Sequence, residues 1–281
     1  MKTFYTRSLT AIVFAAIMLF GILWSGLTFY VLFLLIALGA MREYFNLVED
    51  IDPGYRTLSR WHRPCVLLLV VAVFFMLSGN HFQFLYLSAS FLGICGGLVL
   101  AIIIFINEGL FMDYFRSRNL LYSFLGLLYI ALPLGLMVNL RLDYSWHGVP
   151  VIPLGIIFCI WINDTMAYIT GSWIGKTKFF PEISPKKTWE GTLGGIILTI
   201  VAAIIYGYFG HTYTLVDWIV IAAIASVFGT AGDLLESKIK RLAGVKDSGT
   251  LMPGHGGILD RFDSMIVATP FVWLYAAIVL H

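Results

Sequence analysis

Apolar residues run along this chain in long stretches broken by short polar segments, and the length of those stretches predicts membrane-spanning helices. A hydrocarbon core of roughly 30 Å requires about 20 mostly apolar residues in helical form. Nine stretches meet or approach that length, at approximately 8–24, 27–41, 64–80, 84–106, 119–139, 151–173, 191–210, 215–233 and 264–280. The first two are short, divided by Ser25 and Gly26, and read as a tight helical hairpin. The expected fold class is all-α: a polytopic integral membrane protein with about nine transmembrane helices, forming one membrane-embedded domain over 1–281. Within it, 1–140 holds five hydrophobic N-terminal spans, and 141–281 holds four spans that carry the chemistry.

The distribution of positive charge tests this division independently of hydropathy. Lys2 and Arg7 precede the first span, and Arg42, Arg56, Arg60 and Arg63 fill the loop after the second. Arg116 and Arg118 follow the fourth span, and Lys176, Lys178, Lys186 and Lys187 follow the sixth. Lys238, Lys240, Arg241, Lys246 and Arg261 follow the eighth, so 17 of the 18 bases fall on one side and only Arg141 on the other. The positive-inside rule then expects a cytoplasmic N-terminus, with His281 outside. No small-residue cleavage site in a polar setting follows the first apolar run, so a retained span is expected in place of a secretory signal.

Composition agrees, with 59% hydrophobic and 12% charged residues and a mean hydropathy of +0.88, outside the range of soluble domains. A net charge of +2, with bases scattered through loops, excludes a nucleic-acid surface. Cys65, Cys95 and Cys159 sit in or beside apolar runs without C-x-x-C spacing and read as core thiols.

Against this background, residues 233–263 stand out, holding five acids and five bases in 31 positions. Five carboxylates (Asp233, Glu236, Asp247, Asp260, Asp263) suit a hard cation, and the five bases suit phosphate oxygens. Asp233, Glu236, Ser237 and Lys240 share one face if the eighth span continues as helix past Gly232. Asp233 lies at or inside the membrane boundary, where an uncompensated Asp costs roughly 2.5–3.5 kcal/mol on insertion scales, and it is read as a metal ligand. Pro253-Gly254-His255-Gly256-Gly257 cannot be regular helix, and such a turn lets backbone N–H groups approach an anion. His255 either donates to a phosphate or satisfies the turn. The turn leads into Asp260-Arg261-Phe262-Asp263, whose two acids share a helical face and would complete a metal site opened by Asp233.

Two further segments carry polar groups. Lys186 and Lys187 stand just before the seventh span, either as a phosphate clamp at a helix N-terminus or as ordinary cytoplasmic-loop lysines. Trp189 reads as an interface anchor, and Glu190 as a partner for Lys186 or Lys187. Asp164, with Asn163, lies in the sixth span and is read as part of the site, the alternative being a structural hydrogen-bond hub. Gly171 and Gly175 read as close helix packing. The remaining acids, Glu43 and Glu108 among them, form no visible converging set and are read as structural.

From Ser237-Lys-Ile-Lys240-Arg241 through Lys246-Asp247-Ser-Gly249 to Pro253-Gly-His255-Gly-Gly257-Ile-Leu-Asp260-Arg261-Phe-Asp263, the chain resembles the CDP-diacylglycerol synthases, the phosphatidate cytidylyltransferases. Met252 departs from the Leu, Ile or Phe usual there but stays apolar. The resemblance extends to Asp164-Thr165, to Pro185-Lys186-Lys187-Thr188-Trp189-Glu190-Gly191 and to the nine-span layout. It implies that CTP and phosphatidate react to give CDP-diacylglycerol and pyrophosphate, with Mg²⁺ held by Asp233 and Asp260. It further implies a monovalent cation such as K⁺, and a homodimer in the plasma (inner) membrane with a cytoplasmic-side active site.

The expected catalytic residues are Asp233, Lys240 and Asp260, with Asp263 and Glu236 joining Asp233 and Asp260 around the metal. Substrate contacts are expected from Asp164, Lys186, Lys187, Ser237, Arg241, Lys246, Asp247, His255, Gly256, Gly257 and Arg261. Of these, Lys240, Arg241 and Lys246 are assigned to the leaving pyrophosphate. Three rivals remain: a cytidylyltransferase acting on another lipid phosphate, such as an isoprenoid one, an ion-coupled transporter, and a non-catalytic scaffold, which gives no reason for five acids and five bases to crowd one loop. The transporter predicts paired interruptions in two related halves, which the sequence does not contain.

Overall fold

The computed structural model describes residue 13 and residues 15–84, 87–110, 117–210, 212–251 and 256–280. Among the described residues, seven helices are long and apolar enough to cross a membrane. The polytopic, all-helical expectation therefore holds. The third expected span is a shorter helix of 16 residues, and the first is helix over 15–23, its beginning lying outside the described residues.

The chain divides into two compact units: 1–143 with 242–260, and 144–241 with 261–281. Residues 242–260 thus group with the N-terminal helices.

In the first unit, α1 (Gly26–Ile51) starts where Ser25 caps it. The Ser25 hydroxyl accepts from Thr28 N while the Thr28 hydroxyl accepts from Ser25 N. This helix runs ten residues past the expected end at 41, so Arg42, Glu43, Glu49 and Asp50 are helical and not in a loop. A 3-10 turn (Pro53–Thr57) leads to α2 (His62–Leu77). A short antiparallel pair follows, β1 (Gln83–Phe84) with β2 (Leu87–Ser88), in the register Gln83 to Ser88 and Phe84 to Leu87. After α3 (Ala89–Leu110) come α4 (Ser117–Gly126) and α5 (Leu132–Asp143), joined without a break by a π-helical turn at Leu127–Ala131. Pro133 explains that turn, since it lacks an N–H and its ring crowds the carbonyl four residues back, so the ladder widens just upstream. There Leu132 N donates to Leu127 O, five residues away.

Phe29, Phe33, Met41 and Phe45 of α1 are buried with Val70 and Phe74 of α2 and Leu134, Met137 and Leu140 of α5. A buried polar cluster ties the same unit together. His62 Nδ1 lies 3.1 Å from Glu108 Oε1, its Nε2 lies 2.7 Å from Ser123 Oγ, and Tyr55 OH lies 2.8 Å from that same oxygen. Glu108 is thus structural, as read from the sequence.

The second unit is built from α6 (Val151–Ile174), α7 (Trp189–Gly210), α8 (Leu215–Leu242, to Arg241) and α9 (Leu259–Val279, from Arg261). Small residues let α6 and α7 approach closely. A Cβ at Gly191 would stand 2.8 Å from Ala167 O, and one at Gly195 would stand 2.8 Å from Asn163 O. Gly171 and Gly175 belong to the same packing, their added Cβ atoms meeting Thr188 Oγ1 at 3.1 and 2.6 Å. Thr214 and Asp217 cap α8, Thr214 N donating to Asp217 Oδ2 and Asp217 N to Thr214 Oγ1. Tyr275 OH donates to Asp217 Oδ1 at 2.7 Å, fastening α9 to the start of α8.

The close approach of α2 and α3 yields a paired test. A Cβ at Gly93 would lie 2.5 Å from Ala72 O, whereas one at Gly96 meets nothing within 4 Å. Gly93→Leu is expected to destabilise the purified protein by about 1–3 kcal/mol, the range for overpacking, and Gly96→Leu to leave the thermal midpoint near the parent's. Equal midpoints for the two variants would contradict the packing.

Candidate active site

Helix α8 does continue past Gly232, and it carries its polar stripe as two ladders of neighbouring pairs. Ser237 Oγ donates to Asp233 Oδ1 at 3.2 Å. One step around the helix, the Lys240 ammonium pairs with the Glu236 carboxylate, whose side chain is fully buried. The four residues therefore share a face, as their spacing predicts. Beside Asp233, which is half-buried, Gly232 lets the backbone of α8 pass against α9: an added Cβ would stand 3.1 Å from Ser264 Cα.

The loop 175–188 brings the lysines to this stripe. Phe179 N donates to Lys187 O and Trp189 N to Thr177 O, folding the loop back on itself. Phe179 packs edge-on against Trp189, with ring centroids 4.4 Å apart. Thr188 then caps α7, its hydroxyl accepting from Gly191 N at 3.2 Å. So placed, Lys187 Nζ reaches Asp233 Oδ2 at 2.6 Å. Glu190 pairs with neither lysine, which corrects the sequence reading. Standing in the first turn of α7, it accepts from Lys176 N and Thr177 N, each at 3.1 Å, because the bridge between Lys178 and Thr188 brings those amides to it.

A cleft of about 350 Å³ opens here within the second unit, with Asn163, Asp164, Lys186, Lys187, Thr230 and Asp233 in its walls. Asp164 is accessible through the cleft, and Asn163 hydrogen-bonds to it. Asn163, buried, also donates to Thr230 Oγ1 at 3.3 Å. Asp164, Asp233 and Asp263 lie within electrostatic range of one another, with Lys187 near Asp164 and Lys240 near Asp263. Asp263 Oδ1 accepts from Ser264 N at 2.6 Å. Two acids, Asp164 and Asp233, and two ammonium groups, Lys186 and Lys187, thus line one cleft, with Asp263 in electrostatic range of both acids.

The glycine-rich segment is described from Gly256 onward; His255, with Pro253 and Gly254, lies outside the described residues. Gly256 has φ of +86°, the left-handed region expected of this turn. In the first unit, Asp260 Oδ2 accepts from Gly257 N at 2.8 Å and from Ser248 N at 2.9 Å, closing the loop onto the start of α9. Lys246 and Asp247 are exposed on that loop, and Arg241 and Arg261 are exposed where α8 ends and α9 begins.

Sequence reasoning missed Glu43. Its carboxylate accepts from Ile258 N at 2.9 Å, Leu259 N at 2.8 Å and Ser248 Oγ at 2.9 Å, all within the first unit. It also missed the supporting roles of Thr188 and Thr230. The usable signal for Glu43 was its place between the apolar residues Met41 and Tyr44, which makes it a buried position once α1 is extended.

Oxygen donors of this kind fit a hard cation. Among the described residues, no three His, Cys, Asp or Glu side chains converge into a set able to hold a metal alone.

The model of the cytidylyltransferase family matches residues 5–279. A phosphatidate cytidylyltransferase of Staphylococcus haemolyticus is 33% identical over 271 residues, covering 95% of this chain and 96% of that protein. One from Haemophilus influenzae is 37% identical over 167 residues, covering 56% and 58% of the two chains. One from Bacillus subtilis is 47% identical over 120 residues, covering 42% and 45%. By a match of nearly its whole length, this chain belongs to the cytidylyltransferase family.

Proposed function

We propose that this protein is a phosphatidate cytidylyltransferase, converting CTP and phosphatidate to CDP-diacylglycerol and pyrophosphate. The observation that carries the reading is the polar cleft, where Lys186, Lys187, Asp164 and Asp233 meet in a membrane-length helical chain. Its family relatives bear the name of that reaction.

The lipid phosphate has a second pKa near 6, so at neutral pH it is already a nucleophile and no strong base is required. The obstacle is the repulsion between two polyanions. Mg²⁺, held by carboxylates among Asp233, Asp260, Asp263 and Glu236, would supply charge neutralisation on the triphosphate. Lys187 is held ready by its ion pair with Asp233, and a phosphate oxygen entering the cleft offers its ammonium a second acceptor. Lys186 adds a further ammonium in the same wall. Lys240, Arg241 and Lys246 are assigned to the leaving pyrophosphate, and Arg261 to either substrate. Gly256, with its positive φ, would bring backbone close to a nucleotide phosphate, next to Gly257, whose N–H holds Asp260, with Ser237 and Asp247 as polar neighbours of the nucleotide.

The charge bias of the loops supports a cytoplasmic-side site, and the plasma (inner) membrane follows from the family resemblance. A monovalent cation such as K⁺ and a homodimer follow from the family resemblance.

Purified protein with labelled CTP and Mg²⁺ is expected to label phosphatidate in preference to isoprenoid phosphates, and chelation to abolish the product. Asp260→Asn is expected to lower turnover by on the order of 10²–10³-fold, the scale of losing one preorganised charge-stabilising group, with membrane insertion intact. Equal labelling of an isoprenoid phosphate, or turnover of the variant within a few-fold of the parent, would overturn these assignments.

At Gly256, a side chain would be forced into the left-handed region at a cost of about 1–2 kcal/mol, with its Cβ 2.6 Å from Asp260 Oδ2. Gly256→Val is therefore expected to lower stability by about 1–2 kcal/mol and, by displacing the turn and Asp260, to weaken apparent CTP affinity further, by on the order of tenfold or more, each factor of ten being about 1.4 kcal/mol. Unchanged affinity in a titration with CTP would contradict the role given to this turn.

A further inference from the structure

Glu43 comes from a helix remote in sequence, yet its carboxylate is the acceptor on which the signature loop closes. Its side chain is buried, 8% of the residue being accessible. Both of its oxygens are engaged: Oε1 accepts from Ile258 N, and Oε2 from Leu259 N and Ser248 Oγ. Those two amides are orphan donors at the start of α9, where a carboxylate is electrostatically favoured. Gly249 and Gly257 leave room for it, since a Cβ at either would run into the Glu43 side chain.

Ser248 links this carboxylate to the one assigned to the reaction. Its hydroxyl donates to Glu43 while its backbone N–H donates to Asp260 Oδ2, which also takes Gly257 N. Two carboxylates therefore grip the same two strands of the loop, one from α1 and one from the first turn of α9. We infer that Glu43 is a positioning residue, which gathers Ser248 to the amides of Ile258 and Leu259 and so fixes the orientation in which Asp260 is presented to the nucleotide and its cation. This rests on the cytidylyltransferase reading and adds to it a residue some two hundred positions away from the signature segment.

A carboxylate that merely stabilised the fold would lower the amount of folded protein without changing what each folded molecule does. A positioning residue changes turnover itself. Glu43→Gln is close in shape but turns an amide NH₂ toward donors, so at least one of the three bonds is lost. In the purified full-length protein this variant is expected to lose kcat by about 10–100-fold, the usual penalty for removing an outer-shell partner, with KM for CTP and thermal midpoint near the parent's. Amide hydrogen exchange at Ile258 and Leu259 is expected to accelerate. That readout needs no turnover, so a parent protein without transferase activity would refute the proposed reaction while the exchange still tested the clamp.

Ser248→Ala, which removes only the shared hydroxyl, is expected to move kcat and exchange in the same direction by less. Combined with Glu43→Gln it should add less than its single effect, because the two changes break one bond in common. Parent-like kcat and exchange in Glu43→Gln would overturn the inference, as would a loss of activity matched by an equal loss of folded protein.

Discussion

Charge inside a chain this apolar has to be partnered, and the partners decide the shape of the site. An isolated carboxylate at a helix centre is penalised by roughly 2.5–3.5 kcal/mol on insertion scales. Here Asp233 meets Lys187 and Ser237, Glu236 meets Lys240, and Glu43 meets two backbone amides and a hydroxyl. The Lys187 and Glu43 pairings draw a loop toward the acid, whereas those of Ser237 and Lys240 stay within α8. The polar machinery is consequently organised by the same contacts that make its burial tolerable.

Those pairings depend on close backbone approach, which small residues permit. The glycines of α6 and α7 bring Asn163 and Asp164 beside the segment that carries Lys186 and Lys187, and Gly232 lets α8 lie against α9 next to Asp233 and Asp263. Local turns complete the arrangement. Thr188 caps α7 so that Lys187 projects into the cleft, and Glu190 holds the returning turn through the amides of Lys176 and Thr177. Because the lysine and aspartate of the cleft neutralise each other in the free protein, an arriving polyanion competes for a cation that is already in position.

The helical spans and the polar stripe of α8 were legible because both express simple periodicities: long apolar runs, and acids and bases three or four residues apart. The signature segment was legible as chemistry because Pro and Gly exclude helix there, and Gly256 does adopt a positive φ. Helix ends were harder to read. Hydropathy falls at Arg42, so α1 seemed to stop there, although helical hydrogen bonding continues to Ile51 and buries Glu43. Glu190 was assigned to the nearest lysines because proximity in sequence ignores which amides lack partners; the turn geometry settled that choice. The partners of Glu43 were invisible because they lie more than two hundred residues away, a distance no local pattern encodes.

The central claim is that paired acids and bases in this unit await a divalent cation delivered with a nucleotide. Electron paramagnetic resonance of Mn²⁺, standing in for Mg²⁺, measures it most directly in the purified protein. The account predicts that Mn²⁺ becomes bound when CTP is present and that Asp233→Asn releases it. Mn²⁺ binding that is indifferent to CTP, or unchanged in the variant, would contradict it.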